Sequence, residues 1–308
     1  IIIKNMCGIL GNVGYDFDQN ESALKLLYRR GPDSFGQSNF LVKDKKITLA
    51  MTRLAITGLD TGSQPMYSND EKIILTYNGE IYNYKKLWDE LKINRSPRSD
   101  GEIIIELYQK FGIKGLKKIR GMFAISLIDL NINKLFLLRD YFGEKPLYVY
   151  RENSKFIWSS RIDSILCFEN ELSIKNSVLQ DYFRFSYVPT EESIYEGIES
   201  LKPGLCYIYD LTEEKYSTID FRKDYYDTSQ KESFYRLLQS KTKQALIGEV
   251  PMGILLSGGV DSGLLACLQS KKEIKAFTVS TSDLHYDEAK RALKLAKHLS
   301  LQHFVISF

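Results

Sequence analysis

The 308-residue chain is poor in histidine, cysteine and long apolar runs. Its three histidines, His285, His298 and His303, all fall after residue 284, so a nucleophile in the N-terminal half must find a base other than imidazole. The four cysteines, Cys7, Cys167, Cys206 and Cys267, form no CxxC pair and lie far from histidine in the first half. Neither a zinc site nor a disulfide framework is indicated, and three of the four are expected to be buried small apolar residues. No apolar run approaches the roughly 20 residues that a membrane helix needs. The opening Ile1–Ile3 run is followed directly by Lys4 and Asn5 and has neither the basic nor the long apolar part of a signal peptide. A cytoplasmic protein with no membrane partner is expected. The net charge of +3, from 42 basic and 39 acidic residues, leaves no electrostatic footprint for nucleic acid.

What is present has the composition of a globular protein, 44% hydrophobic and 26% charged, at a length that suits two domains. The N-terminal part is dense in short β-type runs, among them "CGILGNVG", "ITLAMTRLAI", "KIILTYNGEIY", "MFAISLIDL", "KLFLLRD" and "KFIWSS". Helical patterns such as "SALKLLYRR" and "GEIIIELYQKFG" lie between them, which reads as a largely antiparallel α+β domain over 7–206. Residues 207–231 turn mixed in charge and lose any period, and a linker is expected there. From 232 to 308 strands and helices alternate, the pattern of an α/β parallel sheet. Only the start of such a domain is present, so a C-terminally incomplete second half is expected.

In that second half "LLSGGVDSG" (Leu255 to Gly263) follows an apolar strand and opens a helix. Backbone N–H groups of the turn and the helix N-terminus would then face one anion, a phosphate. The GxxxxGK[ST] spacing of a γ-phosphate transfer loop is missing. The segment resembles the pyrophosphate loop of ATP pyrophosphatases, which split ATP into AMP and pyrophosphate. The resemblance implies that Ser257, Gly258, Gly259 and Ser262 cradle pyrophosphate, that Asp261 holds Mg2+, and that Leu255 and Val279 border the adenosine. Gly263 departs from the usual Ser or Thr.

In the first half Cys7 is the question. With imidazole excluded, the base of suitable strength is an α-amino group, whose pKa of about 7.7–8.0 lets it accept a proton near neutrality. Cys7 must then begin the mature chain, and Met6 before a small residue looks like a removable initiator. Ile1–Asn5 are expected to be upstream reading-frame residues or a removable leader, and a chain that keeps "IIIKNM" is expected to be dead at this site.

After Cys7 the chain spells "RGPD", "RLAI", "GSQPM", "YNGEIYN", "SDGE", "GMFA" and "RDYFGEKPLY" in order. Singly each has a plain structural reading; Asn-Gly, for instance, is a common hairpin turn. Together they resemble the class II glutamine amidotransferase domain, an N-terminal nucleophile hydrolase with an αββα sandwich. With "YVPTEESIYEGIESLKPG" and the pyrophosphate loop, the pairing resembles the glutamine-hydrolysing asparagine synthetases.

The resemblance implies that Arg53, Leu54 and Ile56 of "RLAI" bind glutamine, with Arg53 on the α-carboxylate. It gives the α-ammonium to Glu80 and Asp100, and the oxyanion to the Asn78 amide and the Gly79 N–H. Four departures from the usual pattern stand out: Met51 for a histidine, Gly101 for Thr or Cys, and Arg161 and Asp163 with their charges inverted, which points to an altered contact, one between domains included. The implied activity is a ligase that hydrolyses glutamine at Cys7, passes ammonia internally, and delivers it to an ATP-activated aspartate. Its substrates are glutamine, ATP and aspartate, with a homodimer among the assemblies it allows. A paralogue amidating another carboxylate, such as a polysaccharide sugar acid or a natural-product precursor, and an uncoupled glutamine-binding fragment are the alternatives.

Overall fold

A computed structural model of the chain describes residues 6–222, 233–269, 274–282 and 287–307. Ile1–Asn5, His285, Phe308 and residues 223–231 of the expected linker lie outside the described residues. The chain divides into two units, Ile1–Thr228 and Ser229–Phe308.

Strand alternation builds the first unit. In β1 (Gly8–Val13), Ile9 and Val13 enter one apolar cluster and Leu10 another, the two-residue period of an extended chain. Around β1 an antiparallel sheet forms from β2 (Ser34–Val42), β3 (Lys45–Arg53), β8 (Tyr148–Glu152), β9 (Lys155–Ser159) and β10 (Ile198–Ser200), in the order β10-β8-β9-β1-β3-β2. A second antiparallel sheet contains β4 (Met66–Tyr67), β5 (Ile73–Ile81), β6 (Gly121–Asp129), β7 (Lys134–Arg139), β11 (Leu205–Asp210) and β12 (Tyr216–Asp220), in the order β12-β11-β7-β6-β5-β4.

The sheets pack face to face. Ile9, Ile47, Leu49 and Met51 of the first meet Ile74, Ala124, Ile128 and Leu137 of the second in one buried cluster. The outer face of the first sheet, with Leu10 and Ile157, is covered by Ala23 and Leu27 of α1 (Asn20–Tyr28) and Ile165 of α4 (Ile162–Leu166). The outer face of the second, with Leu75, Phe123 and Ile125, is covered by Trp88 of α2 (Tyr84–Leu91) and by Ile103, Ile104 and Leu107 of α3 (Glu102–Phe111). The layers therefore run helix, sheet, sheet, helix, the αββα order that the resemblance implied.

Two expectations need correction. The linker expected to begin at Tyr207 is β-structure as far as Asp220: β11 pairs with both β7 and β12, and Cys206 and Phe221 are core residues. In β11 Tyr207 and Tyr209 alternate with Cys206 and Ile208, and in β12 polar residues predominate, so the run carries too few aliphatic residues to show a two-residue period. Of the three cysteines expected to be buried, only Cys206 is; Cys167, which ends the short α4, and Cys267 are exposed.

The second unit is a parallel sheet of β13 (Gly253–Leu255), β14 (Lys275–Ser280) and β15 (His303–Ser307), in that order, as the alternating pattern predicts. Its helices are α6 (Phe234–Ala245), α7 (Val260–Gln269) and α8 (Ala289–His298). Leu256, Ala266, Ala276, Ala292 and Ala296 form its core, small side chains that bring α7 and α8 close to the strands.

Candidate functional site

Three strands carry their inner-face alternation past the core and end in polar groups at one edge of the sandwich. In β3 the series Ile47, Leu49, Met51 continues to Arg53; in β5 Ile74 and Thr76 continue to Asn78 and Glu80; Cys7 stands two residues before Ile9. Gly8 pairs with Thr52, which sets Cys7 and Arg53 side by side across adjacent strands. A cavity of about 300 Å³ opens there, walled by Cys7, Arg53, Leu54, Ile56, Asn78, Gly79 and Glu80, together with Met6, Ser99 and Lys145 among others. Of the residues expected to handle glutamine, Asp100 alone is not in the wall.

The "YNGEIYN" segment is not the hairpin turn that Asn-Gly favours. Asn78 and Gly79 pair with Ala124 and Phe123 of β6 in mid-ladder. Gly79 is required there by its φ of +154° and because a Cβ would lie 2.0 Å from the Met122 carbonyl oxygen.

The Cys7 thiol lies over the Leu54 backbone, 3.3 Å from its N–H and 3.5 Å from its carbonyl oxygen. Burial pushes its pKa up; the Leu54 N–H and the positive charges of Arg53 and Lys145 oppose the rise, and Asp100 adds to it. Such a thiol is protonated at neutral pH and attacks only if a base takes its proton. Arg30, from the loop after α1, donates from Nε to the Cys7 carbonyl at 3.0 Å and fixes the main chain at this point.

Asn78 is 1% exposed, and its side-chain N–H₂ makes no hydrogen bond among the described residues. A buried amide donor without a partner normally costs about 1–3 kcal/mol, so one aimed at a cavity beside a thiol is a ready oxyanion donor. Ser99 Oγ, in the same wall, is likewise buried and unpartnered.

Arg53 is only partly available for a carboxylate. It donates to the carbonyls of Thr57 (2.7 Å), Gly58 (2.6 Å) and Leu59 (3.1 Å), so it folds the 54–62 loop around the cavity. The guanidinium has five N–H donors, and the remaining two can meet a ligand.

The two carboxylates differ. Asp100 is fully buried behind the wall and accepts from Thr57 Oγ1 at 2.6 Å, Tyr77 OH at 2.5 Å and the Ile81 N–H at 2.7 Å. Burial still holds its pKa above the ordinary value, against those three bonds. Glu80 makes no hydrogen bond or ion pair among the described residues, and burial, with the charge of Asp100, pushes its pKa up to about 7. The cavity thus presents one open carboxylate, with Asp100 organising Tyr77 and Thr57 behind it. Gly101 belongs to this arrangement, because a Cβ there would stand 2.2 Å from the Tyr77 ring.

Arg161 and Asp163, the inverted pair, bond to each other through Arg161 Nε and Asp163 Oδ1 at 2.7 Å and through a second contact from Arg161 Nη2. Lys145 went without a role in the sequence reading although "RDYFGEKPLY" contains it. Its Nζ reaches Met6 Sδ at 3.6 Å.

In the second unit "LLSGGVDSG" has the strand-turn-helix form expected, β13 ending at Leu255 and α7 beginning at Val260. Ser257 Oγ and Ser262 Oγ lie 2.8 Å apart, and the N–H of Ser257 donates to Ser262 Oγ at 3.2 Å. Gly258, at φ +75°, passes so close to α8 that a Cβ would meet Ala292 N at 2.7 Å. A Cβ at Gly263 would meet Leu295 at 3.0 Å, so this position starts toward α8. Leu255 and Val279 are exposed, as a surface meant to border a ligand requires. Asp261 is exposed in the first turn of α7, and no group of three or more potential ligands lies around it among the described residues.

Residues 6–225 match the glutamine amidotransferase domain family and residues 233–308 match the asparagine synthase family. The chain is 30% identical over 326 residues to glutamine-hydrolysing asparagine synthetase 2 of Bacillus subtilis, covering 96% of this chain and 43% of that protein. It is 27% identical over 315 residues to synthetase 1 of the same organism, covering 96% and 49%. The chain thus spans about half the length of these curated relatives. Among solved structures it is similar to an allosteric regulatory enzyme of purine biosynthesis, at a TM-score of 0.54 and 12% identity over 98% of this chain and 80% of the other. It is also similar to the glutamine phosphoribosylpyrophosphate amidotransferase of B. subtilis, at 0.50 and 15% over 97% and 65%. These last two likenesses, at 12% and 15% identity, show the fold alone. The chain belongs to the glutamine amidotransferase family, and its residues 233–308 match the asparagine synthase family.

Proposed function

We propose that this chain carries the glutamine-hydrolysing site, and the ATP-binding loop, of a ligase that makes asparagine from aspartate. The observation that carries the first half is the cavity that unites a buried thiol, the unpartnered Asn78 amide donor and the open Glu80 carboxylate.

Once the residues before Cys7 are removed, its free amine takes the thiol proton, and the thiolate attacks the side-chain amide carbon of glutamine. The oxyanion that forms takes hydrogen bonds from the Asn78 amide and the Gly79 N–H, and Glu80 holds the substrate's ammonium while Arg53 meets its α-carboxylate. Collapse returns a proton from the α-ammonium of Cys7 to the leaving nitrogen, releasing ammonia and leaving a thioester. Water, deprotonated by the same amine, then frees glutamate.

In the second half Ser257, Gly258, Gly259 and Ser262 would hold the pyrophosphate of ATP, with the exposed Leu255 and Val279 beside the adenosine. The donor set fits Mg2+ in the usual way for a nucleotide, one carboxylate, Asp261, with phosphate oxygens and water completing the shell. The ion would neutralise phosphate charge there. The relatives are named asparagine synthetases, which supports aspartate as the acceptor. Gly263, whose Cβ would come 3.0 Å from the end of Leu295, and Arg161 and Asp163, which bond to each other, do not point to a different carboxylate.

Two measurements test the proposal. Protein shown by intact mass to begin at Cys7 hydrolyses glutamine, and protein retaining "IIIKNM" does not; activity in both would remove the role of the free amine. In the full-length protein, glutamine-dependent AMP formation requires aspartate, and AMP formation indifferent to aspartate would assign another acceptor.

A further inference from the structure

We propose that Lys145 is the positioning residue for the base: its ammonium stands beside the amine that Cys7 gains when Met6 leaves, and it keeps that amine unprotonated while balancing the thiolate. The inference rests on the reading of Cys7 as a nucleophile that uses its own α-amine.

The motif "RDYFGEKPLY" is built to deliver this side chain. Asp140 is fully buried, and its carboxylate accepts from the N–H groups of Phe142 (3.1 Å), Glu144 (2.9 Å) and Lys145 (2.9 Å), which coils the loop around it. Arg139 clamps the same loop, donating to the carbonyls of Lys145 (2.7 Å) and Gly143 (2.6 Å) and to Ser200 Oγ (2.8 Å). A loop held by that many bonds sets its lysine in one place, and the place is the cavity wall with Cys7.

Lys145 is 8% exposed, yet among the described residues its Nζ has no carboxylate within 4.0 Å. Its one recorded partner is the Met6 thioether, a weak acceptor. A buried lysine with no ion pair is held against its desolvation cost, and the side chain it touches is the one that maturation removes.

The charges around the new amine come from every neighbouring element. Arg53 from β3 and Arg30 from the loop after α1 are positive; Glu80 from β5, Asp100 before α3, and Glu144 and Asp140 from the Lys145 loop are acidic. Asp100 and Asp140 are tied up by donors, and Glu80 is set aside for the substrate's ammonium. Lys145 therefore meets the amine as a like charge in a poorly solvated wall. A like charge favours the neutral amine, and the same cation favours the thiolate once the proton has moved.

The test uses full chain beginning at Cys7, confirmed by intact mass, as wild type, Lys145→Met, Lys145→Gln and Lys145→Arg, each first checked for a native melting transition. Iodoacetamide alkylation of Cys7 is followed from pH 5.5 to 9 without glutamine, so that substrate binding does not enter, while Glu80, whose pKa of about 7 falls in this range, is common to every variant. In Lys145→Met and Lys145→Gln the rate profile and the acid limb of glutaminase kcat shift upward by about one pH unit, with activity recovering toward pH 9, and Lys145→Arg keeps the wild-type profile. Should Met fail to fold, Gln carries the measurement. Superimposable profiles, or an equal loss at every pH, would overturn the inference. A wild-type chain with a verified free Cys7 that hydrolyses no glutamine refutes the proposed function instead, whatever Lys145 does.

Discussion

Replacing Glu80 with glutamine is expected to stabilise the protein at pH 8 while weakening it as a glutaminase. Burial, with Asp100, raises this carboxyl from its ordinary 4.5 to about 7, and Lys145 opposes the rise. Because the folded-state pKa lies above the unfolded one, the native state keeps its proton longer, and the contribution to stability is full below pH 4.5 and lost as the pH rises through 7. The difference of about 2.5 units corresponds to roughly 3 kcal/mol once the group is fully charged. Partial solvent access and the Lys145 charge reduce what is measured to about 2 kcal/mol. Glutamine carries no charge at any pH and removes the penalty. The stability of Glu80→Gln relative to wild type is therefore expected to be small at pH 5 and about 2 kcal/mol greater at pH 8. Guanidinium unfolding followed by tryptophan fluorescence reads this directly, because Trp88 and Trp158, the two tryptophans of the chain, both lie in the first unit. At the same time the variant's KM for glutamine rises by roughly 30-fold, the loss of a buried partner for the substrate's ammonium. A Glu80→Gln protein no more stable than wild type at pH 8, or a difference equal at the two pH values, would refute the reasoning.

Asn78→Ala is expected to lower glutaminase kcat by about 10²- to 10³-fold with little change in KM, because the proposed function sets its amide on the oxyanion and not on the bound amide; a change confined to KM would contradict that role. Tyr77→Phe deletes a donor to buried Asp100. It is expected to cost about 1–3 kcal/mol, more at pH 8 than at pH 5, because the Asp100 pKa climbs further; unfolding curves at both pH values check the sign. Gly101→Ala pushes a methyl into the Tyr77 ring and is expected to destabilise by about 1–3 kcal/mol with loss of glutamine affinity, read by melting and KM. Gly258→Ala, at φ +75° and against Ala292, is expected to abolish ATP-dependent AMP formation while leaving glutaminase intact, which an assay of both activities separates.

The strands that build the first unit were legible because their aliphatic residues alternate: Ile9, Leu10 and Val13, or Ile74 and Leu75, sort themselves between two clusters by period alone. Strands β11 and β12 were not, since between them only Leu205, Ile208 and Ile219 are aliphatic and the tyrosines of β11 stand among Cys206, Ile208 and Asp210 without a polar-apolar alternation. Helix α2 is short, eight residues, but Tyr84, Leu87, Trp88 and Leu91 recur in it at helical spacing and could have been read as one face. At the site, the resemblance carried by the ordered motifs named Cys7, Arg53, Leu54, Ile56, Asn78, Gly79 and Glu80, and one cavity wall brings them together. The motifs could not show that Asp100 stands behind Tyr77 and Thr57, because depth from a cavity is a property of packing and not of spacing. Nor could they show that three donors of Arg53 are committed to its own loop.

The departures from the usual pattern share a physical character. Met51 is 1% exposed within the inter-sheet cluster, where an apolar side chain is the natural occupant. Gly101 leaves room for the Tyr77 ring whose hydroxyl serves Asp100, and Gly263 leaves room for Leu295. Arg161 and Asp163 exchange signs and remain each other's partner. None of Met51, Gly101, Arg161 and Asp163 lines the Cys7 cavity. Each is matched to a particular neighbour, so restoring the usual residue at one position alone, as in Gly101→Thr, disturbs packing before it touches chemistry. The departures therefore alter the look of the motifs more than they alter the wall of the Cys7 cavity, where the groups proposed to face glutamine stand.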